Sequence, residues 1–322
     1  MKVKYLFLLI IAVISFTSCK KKTGDPPAVV TYTPVYIASM SATIGCHVTS
    51  DGGSALLASG VYIGTSTNPD ASGQPPIQMG TDTGLYIGKL SGLTPSTKYY
   101  IKAYARNANG ESKGNEASFT TPPTVADNDN NQCEIVIIND QTWFAGNLQS
   151  IHYRNGDQIP TTNPETVDIS AESSPSYYWF ANGDYATAQT YGLLYTWYTV
   201  TDSRNICPTG WHVPTDADWT HLEESLGGYL IAGSRLKEFG TSHWLAPYNT
   251  DASNISCFTA LPAGYRPASG AFALLQNEAH FWSSTESEAT KAYERSLSAS
   301  SFSVSRQGAA KNSGQSVRCV KD

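Results

Sequence analysis

The segment that most restricts this chain is Cys207-Pro208-Thr209-Gly210-Trp211-His212-Val213-Pro214-Thr215-Asp216-Ala217-Asp218-Trp219, answered far downstream by Val317-Arg318-Cys319-Val320-Lys321-Asp322. One cysteine opens a compact aromatic block, and another lies fourth from the end. The arrangement suggests a domain closed by a disulfide, its terminus returned to its middle. Inside the block, Thr215-Asp216-Ala217-Asp218 has the form of a capping box, in which a hydroxyl and a carboxylate satisfy free amides at a helix start. Trp219, Leu222 and Leu226 follow at i, i+3 and i+7, and Gly227-Gly228 is a helix stop. A helix is expected from about Asp216 to Leu226.

The first residues bear on the compartment. Met1-Lys2-Val3-Lys4 is positively charged, and the apolar run from Tyr5 to Phe16 is too short to span a bilayer. The run ends at Thr17-Ser18-Cys19 and resembles a bacterial lipoprotein signal, with Phe16 where such signals more often have Leu. The resemblance implies a signal over residues 1–19, a lipidated Cys19, and a membrane partner reached through its acyl chains. Lys20 to Ala28 would be the tether. The expected location is the outer membrane, lipid-anchored, with the cell surface favoured over the periplasmic face. A net charge of −6 with no basic stripe argues against a nucleic-acid partner.

Residues 29–122 read as short strands of period two separated by turn formers: Thr43 to Val48, Gly60 to Gly64 and Tyr99 to Ala105. The run from Leu90 to Tyr100, then Ala103-Tyr104-Ala105-Arg106-Asn107 and Ser118-Phe119-Thr120-Thr121-Pro122, resembles a fibronectin type III domain. The resemblance implies a β-sandwich serving as spacer or binding module, with Leu93 and Tyr99 capping its core. Residues 123–131 are rich in turn formers and read as a linker.

Residues 132–322 form one domain by length. Ile135-Val136-Ile137-Ile138, a turn at Asn139-Asp140, and Gln141-Thr142-Trp143-Phe144 read as a hairpin. Short strands are expected around Phe281–Thr285, Tyr293–Leu297, Phe302–Ser305 and Ser316–Val320. Several blocks together resemble the Fibrobacter succinogenes major paralogous domain: Gln141 to Leu148, Tyr191 to Tyr198, Cys207 to Trp219, Ala260 to Arg266, Phe281 to Thr285, and Val317 to Val320. That family resembles a variant of the C-type-lectin-like fold, occurs in exported bacterial proteins and has no defined activity. The expected fold class is therefore multi-domain: a fibronectin type III-like β-sandwich followed by an α+β C-type-lectin-like domain.

Because Cys207 and Cys319 both fall in blocks of that family, and an exported chain meets an oxidising compartment, they are the preferred disulfide. Cys46 lies in the other domain, which leaves Cys133 with Cys257 as a second candidate pair. No metal and no cofactor are expected: Cys-x-x-Cys and His-Glu-x-x-His are absent, and the six histidines are scattered. Asp127-Asn128-Asp129-Asn130-Asn131 has calcium-like spacing but lacks the glycine and closing Glu of an EF-hand, so it reads as a turn. Trp-Asn-Asp, a calcium-site signature of sugar-binding C-type lectins, is missing. No Gly-x-Ser-x-Gly elbow or phosphate loop occurs. The formylglycine-generating oxidases share the broad fold and an Arg-Cys terminal strand, but they need a cysteine pair shortly upstream, and none lies between Ser283 and Arg318. The chain is thus not expected to be an enzyme.

Aromatic surface is what remains: Tyr177-Tyr178-Trp179-Phe180, Tyr185, Trp244, Tyr248 and Tyr265 fall in the second domain. Trp143, Trp197, Trp211, Trp219 and Trp282 lie in family blocks and read as core. Tyr178, Trp179, Trp244 and Tyr248, with Arg266, are the candidate ligand-binding residues, since aromatic faces stack on sugars and tyrosines make adaptable protein contacts. The expected function is an exported binding protein engaged in adhesion or in recognising a glycan or cell-surface protein. The alternative is a structural or assembly component of a surface appendage with no soluble ligand.

Overall fold

The structure, a computed structural model, describes residues 24–247, 249 and 252–322. Cys19 with the expected signal, and Tyr248, lie outside the described residues.

The first unit is a β-sandwich built from β1 (Ala28–Val35), β2 (Ile37–Ala38), β3 (Ser41–Ser50), β4 (Leu56–Gly64), β5 (Ile77–Gly80), β6 (Gly84–Ser91), β7 (Lys98–Asn107) and β8 (Gly110–Thr120). One sheet has the order β1-β3-β6 and the other β5-β4-β7-β8. Period-two alternation turns Ala42, Ile44, Cys46 and Val48 of β3 against Ile101, Ala103 and Ala105 of β7. Leu93 is buried with them. Tyr99 stacks on Phe119 with ring centroids 5.6 Å apart, and its hydroxyl accepts from the Thr94 amide at 2.9 Å. One side chain therefore packs the sandwich end and pins the turn around Pro95.

β2 leaves the sandwich. Tyr36, at φ 50°, turns the chain out of β1, and β2 then pairs antiparallel with β11 (Ile135–Ile138), Ile37 opposite Ile137 and Ala38 opposite Val136. Ser39 fixes the junction: its hydroxyl accepts from the Ile135 amide at 2.9 Å and donates to the Pro123 carbonyl at 2.8 Å. Thr43 donates to the Ile255 carbonyl, and Lys89 donates to the Thr259 hydroxyl at 3.0 Å. The stretch expected to be a linker is docked as well. β9 (Val125–Ala126) pairs with β10 (Gln132–Cys133) around a turn in which the Asp127 carboxylate accepts from the amides of Asp129 and Asn131.

The second unit continues with β11, β12 (Gln141–Phe144), β13 (Tyr178–Phe180), α1 (Ala188–Tyr191), β14 (Leu193–Tyr195), α2 (Trp197–Val200), β15 (Trp211–His212), α3 (Asp216–Ser225), α4 (Tyr229–Leu236), β16 (Glu278–Glu288), β17 (Lys291–Ser298), β18 (Val304–Ala310), β19 (Gln315–Ser316) and β20 (Val320–Lys321). Its strands form a sheet of order β15-β20-β12-β11-β2 and another of order β13-β14-β19-β16-β17-β18. Alternation sets up two large cores, beside a smaller one of Ala181, Tyr191, Leu194 and Ala263. Trp143 and Phe281 join Trp219 and Leu222 of α3, its C-cap Leu226, and Leu236 of α4 on one side. Phe144 and Trp282 join Tyr195, Cys207, Trp211 and Cys319 on the other.

The capping box forms as read: Thr215 Oγ1 accepts from the Asp218 amide while Asp218 Oδ2 accepts from the Thr215 amide. The glycine pair that ends α3 also starts α4, Gly228 being its N-cap, and α4 carried no capping signal in the sequence. The last hairpin strands run longer than expected, and Phe302 sits in the turn before β18, 59% exposed.

Cys207 and Cys319 are bonded, S–S 2.03 Å and Cα–Cα 6.0 Å, closing a separation of 112 residues. The expected second pair is corrected: Cys133 and Cys257 are both free. Cys257 is buried in the core that holds Trp219, 3.8 Å from the Thr43 hydroxyl, while Cys133 packs against the core that holds the disulfide.

Candidate functional site

The aromatic candidates divide by strand geometry. β13 pairs with β14, Tyr178 opposite Tyr195, Trp179 opposite Leu194 and Phe180 opposite Leu193. Successive side chains therefore point to opposite faces. Trp179 points inward and is 0% exposed, with Arg266 stacked on its ring at 4.0 Å and its indole N–H donating to Thr162 Oγ1 at 2.8 Å. Arg266 is equally buried, donating to the carbonyls of Glu165, Val167 and Pro267. Trp244 is 1% exposed and donates to the Ala260 carbonyl at 3.2 Å. The expectation that Trp179, Trp244 and Arg266 meet a ligand is thus corrected: their polar atoms are engaged inside and their rings are covered.

Tyr178 and Phe180 share the opposite face and line an open cleft of about 680 Å³ with Tyr185, Gln149, Gln189 and Asn131. Tyr185 is 77% exposed. It follows the turn Asn182-Gly183-Asp184, in which Asn182 and Gly183 adopt positive φ and Asp184 Oδ1 accepts from the Ala186 amide at 2.9 Å. The Tyr185 ring meets Phe180 edge-on at 5.2 Å, and Phe180 meets Tyr178 edge-on at 5.9 Å. The result is a stepped aromatic wall faced by amide side chains. The one carboxylate lining it, Asp129, is already occupied by the amides of Ile151 and His152 and the His152 ring. No Lys or Arg occurs among the described lining residues.

A second depression, about 430 Å³, shares Asn131 and Gln149 with the first and reaches Lys89 of the sandwich, with Glu134, Asn147 and Thr259 between. The two run on from each other across the domain junction. Phe180, Tyr185, Gln149 and Gln189 were not singled out as binding residues. The period of two in Tyr178-Trp179-Phe180 carries the signal for Phe180, because whichever face takes Tyr178 takes Phe180 too.

Arg318 and the free cysteines are structural in their contacts. Arg318 is 0% exposed and donates to Asn147 Oδ1 and to the carbonyls of Phe144, Phe258 and Thr259 at 2.7–3.0 Å. Burial alone pushes its pKa down to about 9. The Arg-Cys ending therefore stitches backbone together. Burial also raises the thiols of Cys46 and Cys257, and that of Cys133 to about 12, which suppresses the thiolate a nucleophile needs. Among the described residues no three His, Cys, Asp or Glu side chains converge as a metal-ligand set.

Fold and cleft together define a β-rich protein in which a disulfide-closed domain is docked, edge to edge, on a β-sandwich. Residues 136–321 match the family described as Fibrobacter succinogenes major domain, and the chain belongs to that family. No curated protein matches it. Among solved structures it is similar to the sensor domain of the anti-sigma factor RsgI4 in Pseudobacteroides cellulosolvens, at 18% identity and TM-score 0.24, covering 30% of this chain and 96% of that one. It is also similar to titin domains A168–A170, at 18% identity and TM-score 0.22, covering 31% of this chain and 32% of that one. This chain thus spans about a third of the titin segment, and scores this low add nothing to the reading of the fold.

Proposed function

We propose that the chain is an exported, lipid-anchored recognition protein whose family domain binds a neutral glycan in the cleft below Tyr185. The aromatic step formed by Tyr178, Phe180 and Tyr185 opposite Gln149 and Gln189 carries this reading. Ring faces and edges suit the apolar face of a pyranose, and amides supply both donors and acceptors for hydroxyls. The charged group lining the cleft is already engaged, so an ionic ligand gains little there. Continuity with the depression at Lys89 suits an oligosaccharide long enough to touch the sandwich.

In this reading Cys19 carries the lipid, and the protein sits on the outer membrane with the cleft facing the medium. The three- and four-stranded sheets and the Tyr99 corner support taking the sandwich as a fibronectin type III module. The mixed α and β domain with its long loops supports a C-type-lectin-like class. No catalytic step is assigned.

The test is a glycan array probed with the two-domain protein. Binding to a neutral oligosaccharide that drops about tenfold or more with Tyr185→Ala or Gln149→Ala is expected. Silence across neutral glycans, or binding indifferent to both substitutions, overturns the reading. A second reading, an assembly component, is favoured by one observation: Tyr229, Leu230 and Ile231 of α4 and the nearby Phe302 are 57%, 63%, 40% and 59% exposed, an apolar surface of the kind that packs on another protein. Silent arrays with stable co-purifying partners that are lost on Leu230→Asp would support it.

A further inference from the structure

The sheet face turned away from α3 holds a separate cleft of about 390 Å³. Alternation assembles it: Glu278 and His280 of β16, Glu294 of β17 and Gln307 of β18 face one side, while Arg295 and Arg306 face α3 on the other. His280 Nε2 is 2.9 Å from Glu278 Oε2, and Nδ1 is 3.3 Å from Glu294 Oε2. Gln307 donates to Glu294 Oε1 at 2.6 Å, and the Tyr265 ring packs on the imidazole at 4.8 Å. Burial works against the imidazolium, but the hydrogen bonds to Glu278 and Glu294 together outweigh it and hold its pKa up at about 9.

Gln315 lines the same cleft. It is 1% exposed, and its Oε1 has no hydrogen-bond partner in the protein. A buried carbonyl oxygen left without a donor is destabilising, so the site lacks a donor group. The lining also carries two carboxylates against one imidazolium, an excess of one negative charge, with no Lys or Arg among its described residues. Tyr265, Pro267 and Leu274 supply apolar surface beside these groups. The acidic groups do not converge as a metal-ligand set. One free carbonyl and a carboxylate lining the same cleft suit a compact ammonium better than a planar guanidinium, which pairs best with two parallel acceptors.

We propose that this cleft binds a primary alkylammonium group, which donates to Gln315 Oε1, is balanced by the Glu278 carboxylate, and rests its stem on Tyr265, Pro267 and Leu274. The site is independent of the aromatic cleft and belongs to a different ligand chemistry.

Titrating the two-domain protein with n-pentylammonium, and in parallel with n-pentanol, tests it by two-dimensional NMR. Pentylammonium should shift the Gln315 side-chain amide and the amides of Tyr265 and Gly308; pentanol should not. Gln315 is too buried to be a safe substitution, so the variant is Glu278→Gln, whose native side chain is 32% exposed. It should weaken pentylammonium binding about tenfold. A Gly-Lys-Gly peptide that shifts the same signals extends the site to lysine side chains of polypeptides, and one that does not restricts it to free amines; both support the proposal. Absence of shifts with pentylammonium, equal shifts with pentanol, or undiminished pentylammonium binding by Glu278→Gln overturns it and leaves a water as the partner of Gln315.

Discussion

Ala38 of the sandwich lies opposite Val136 of the family domain, in register, as a strand pair. A residue from one unit thereby becomes part of the other unit's core, 0% exposed beside Trp143 and Leu226. Fusion of this kind predicts that the two units unfold together.

Ala38→Asp tests that coupling. All seven tryptophans lie beyond residue 142, so intrinsic fluorescence reports only on the family domain. Burying an unpaired carboxylate at Ala38 should still lower the denaturation midpoint read by fluorescence, with a loss of about 3 kcal/mol in unfolding free energy. An unchanged midpoint would show that the strand pair is dispensable.

The disulfide makes a second prediction. Replacing both Cys207 and Cys319 by Ser should cost about 2–5 kcal/mol in chemical denaturation, because the bond closes a long loop in the unfolded chain. Peptide mapping without reductant should recover the two cysteines linked, and Cys46, Cys133 and Cys257 as free thiols. Any other pairing contradicts the structure.

Trp179 and Tyr185 should separate stability from binding. Trp179→Ala should destabilise by about 3–5 kcal/mol, since it empties a packed site beneath Arg266. Tyr185→Ala should stay within about 0.5 kcal/mol of the parent while losing glycan affinity. Calorimetry on both variants decides; a stable Trp179→Ala protein with lost binding would reverse their roles.

Arg295 is the buried anchor of α3. It donates to Glu223 Oε1 and, at 2.8 Å, to Asp216 Oδ1, and Arg306 grips Asp216 from outside. Arg295→Met should cost about 3–5 kcal/mol by stranding Glu223, whose carboxyl burial already pushes up. Adding Glu223→Leu should recover much of that loss. Failure of the double variant to recover would place the cost in packing instead of charge.

His280 gives a pH signature. Its folded pKa, about 9, exceeds the unfolded value near 6.5. Its contribution is therefore complete below about pH 6.5 and disappears as pH rises through 9, on the order of 3 kcal/mol across that window. Denaturation midpoints should fall over this range in the parent and stay flatter in His280→Gln. Glu278, Glu294 and Tyr265 face this ring and Gln307 donates to Glu294; all four are retained in His280→Gln, so the comparison isolates the imidazole.

Much of the fold was legible in local chemistry. The capping box at Thr215, the Asn139-Asp140 hairpin turn and the strand alternation around Ala103 each depend on near neighbours in sequence. The family blocks carried the Cys207–Cys319 pairing. The departure of β2 was not legible, because two residues carry no period and their partner lies a hundred positions on. The site was missed for a related reason. Tryptophan count drew attention to Trp179, but burial depends on which face of β13 looks inward, and that is set by β14 and Arg266. Tyr185 owes its exposure to a positive-φ turn at Asn182-Gly183. Gln315 looks like any surface glutamine until β16 and the Tyr265 segment close over it.

The five-stranded sheet takes its edge from Ile37–Ala38 and one of its interior strands from Val320–Lys321, seated between β15 and β12. A ribosome delivers those two pieces at opposite times. Nearly the whole polypeptide must be synthesised before Trp143 acquires its neighbour Val320. Until then the sandwich is the only unit able to mature, and the edge it holds out is a waiting template for the domain that follows.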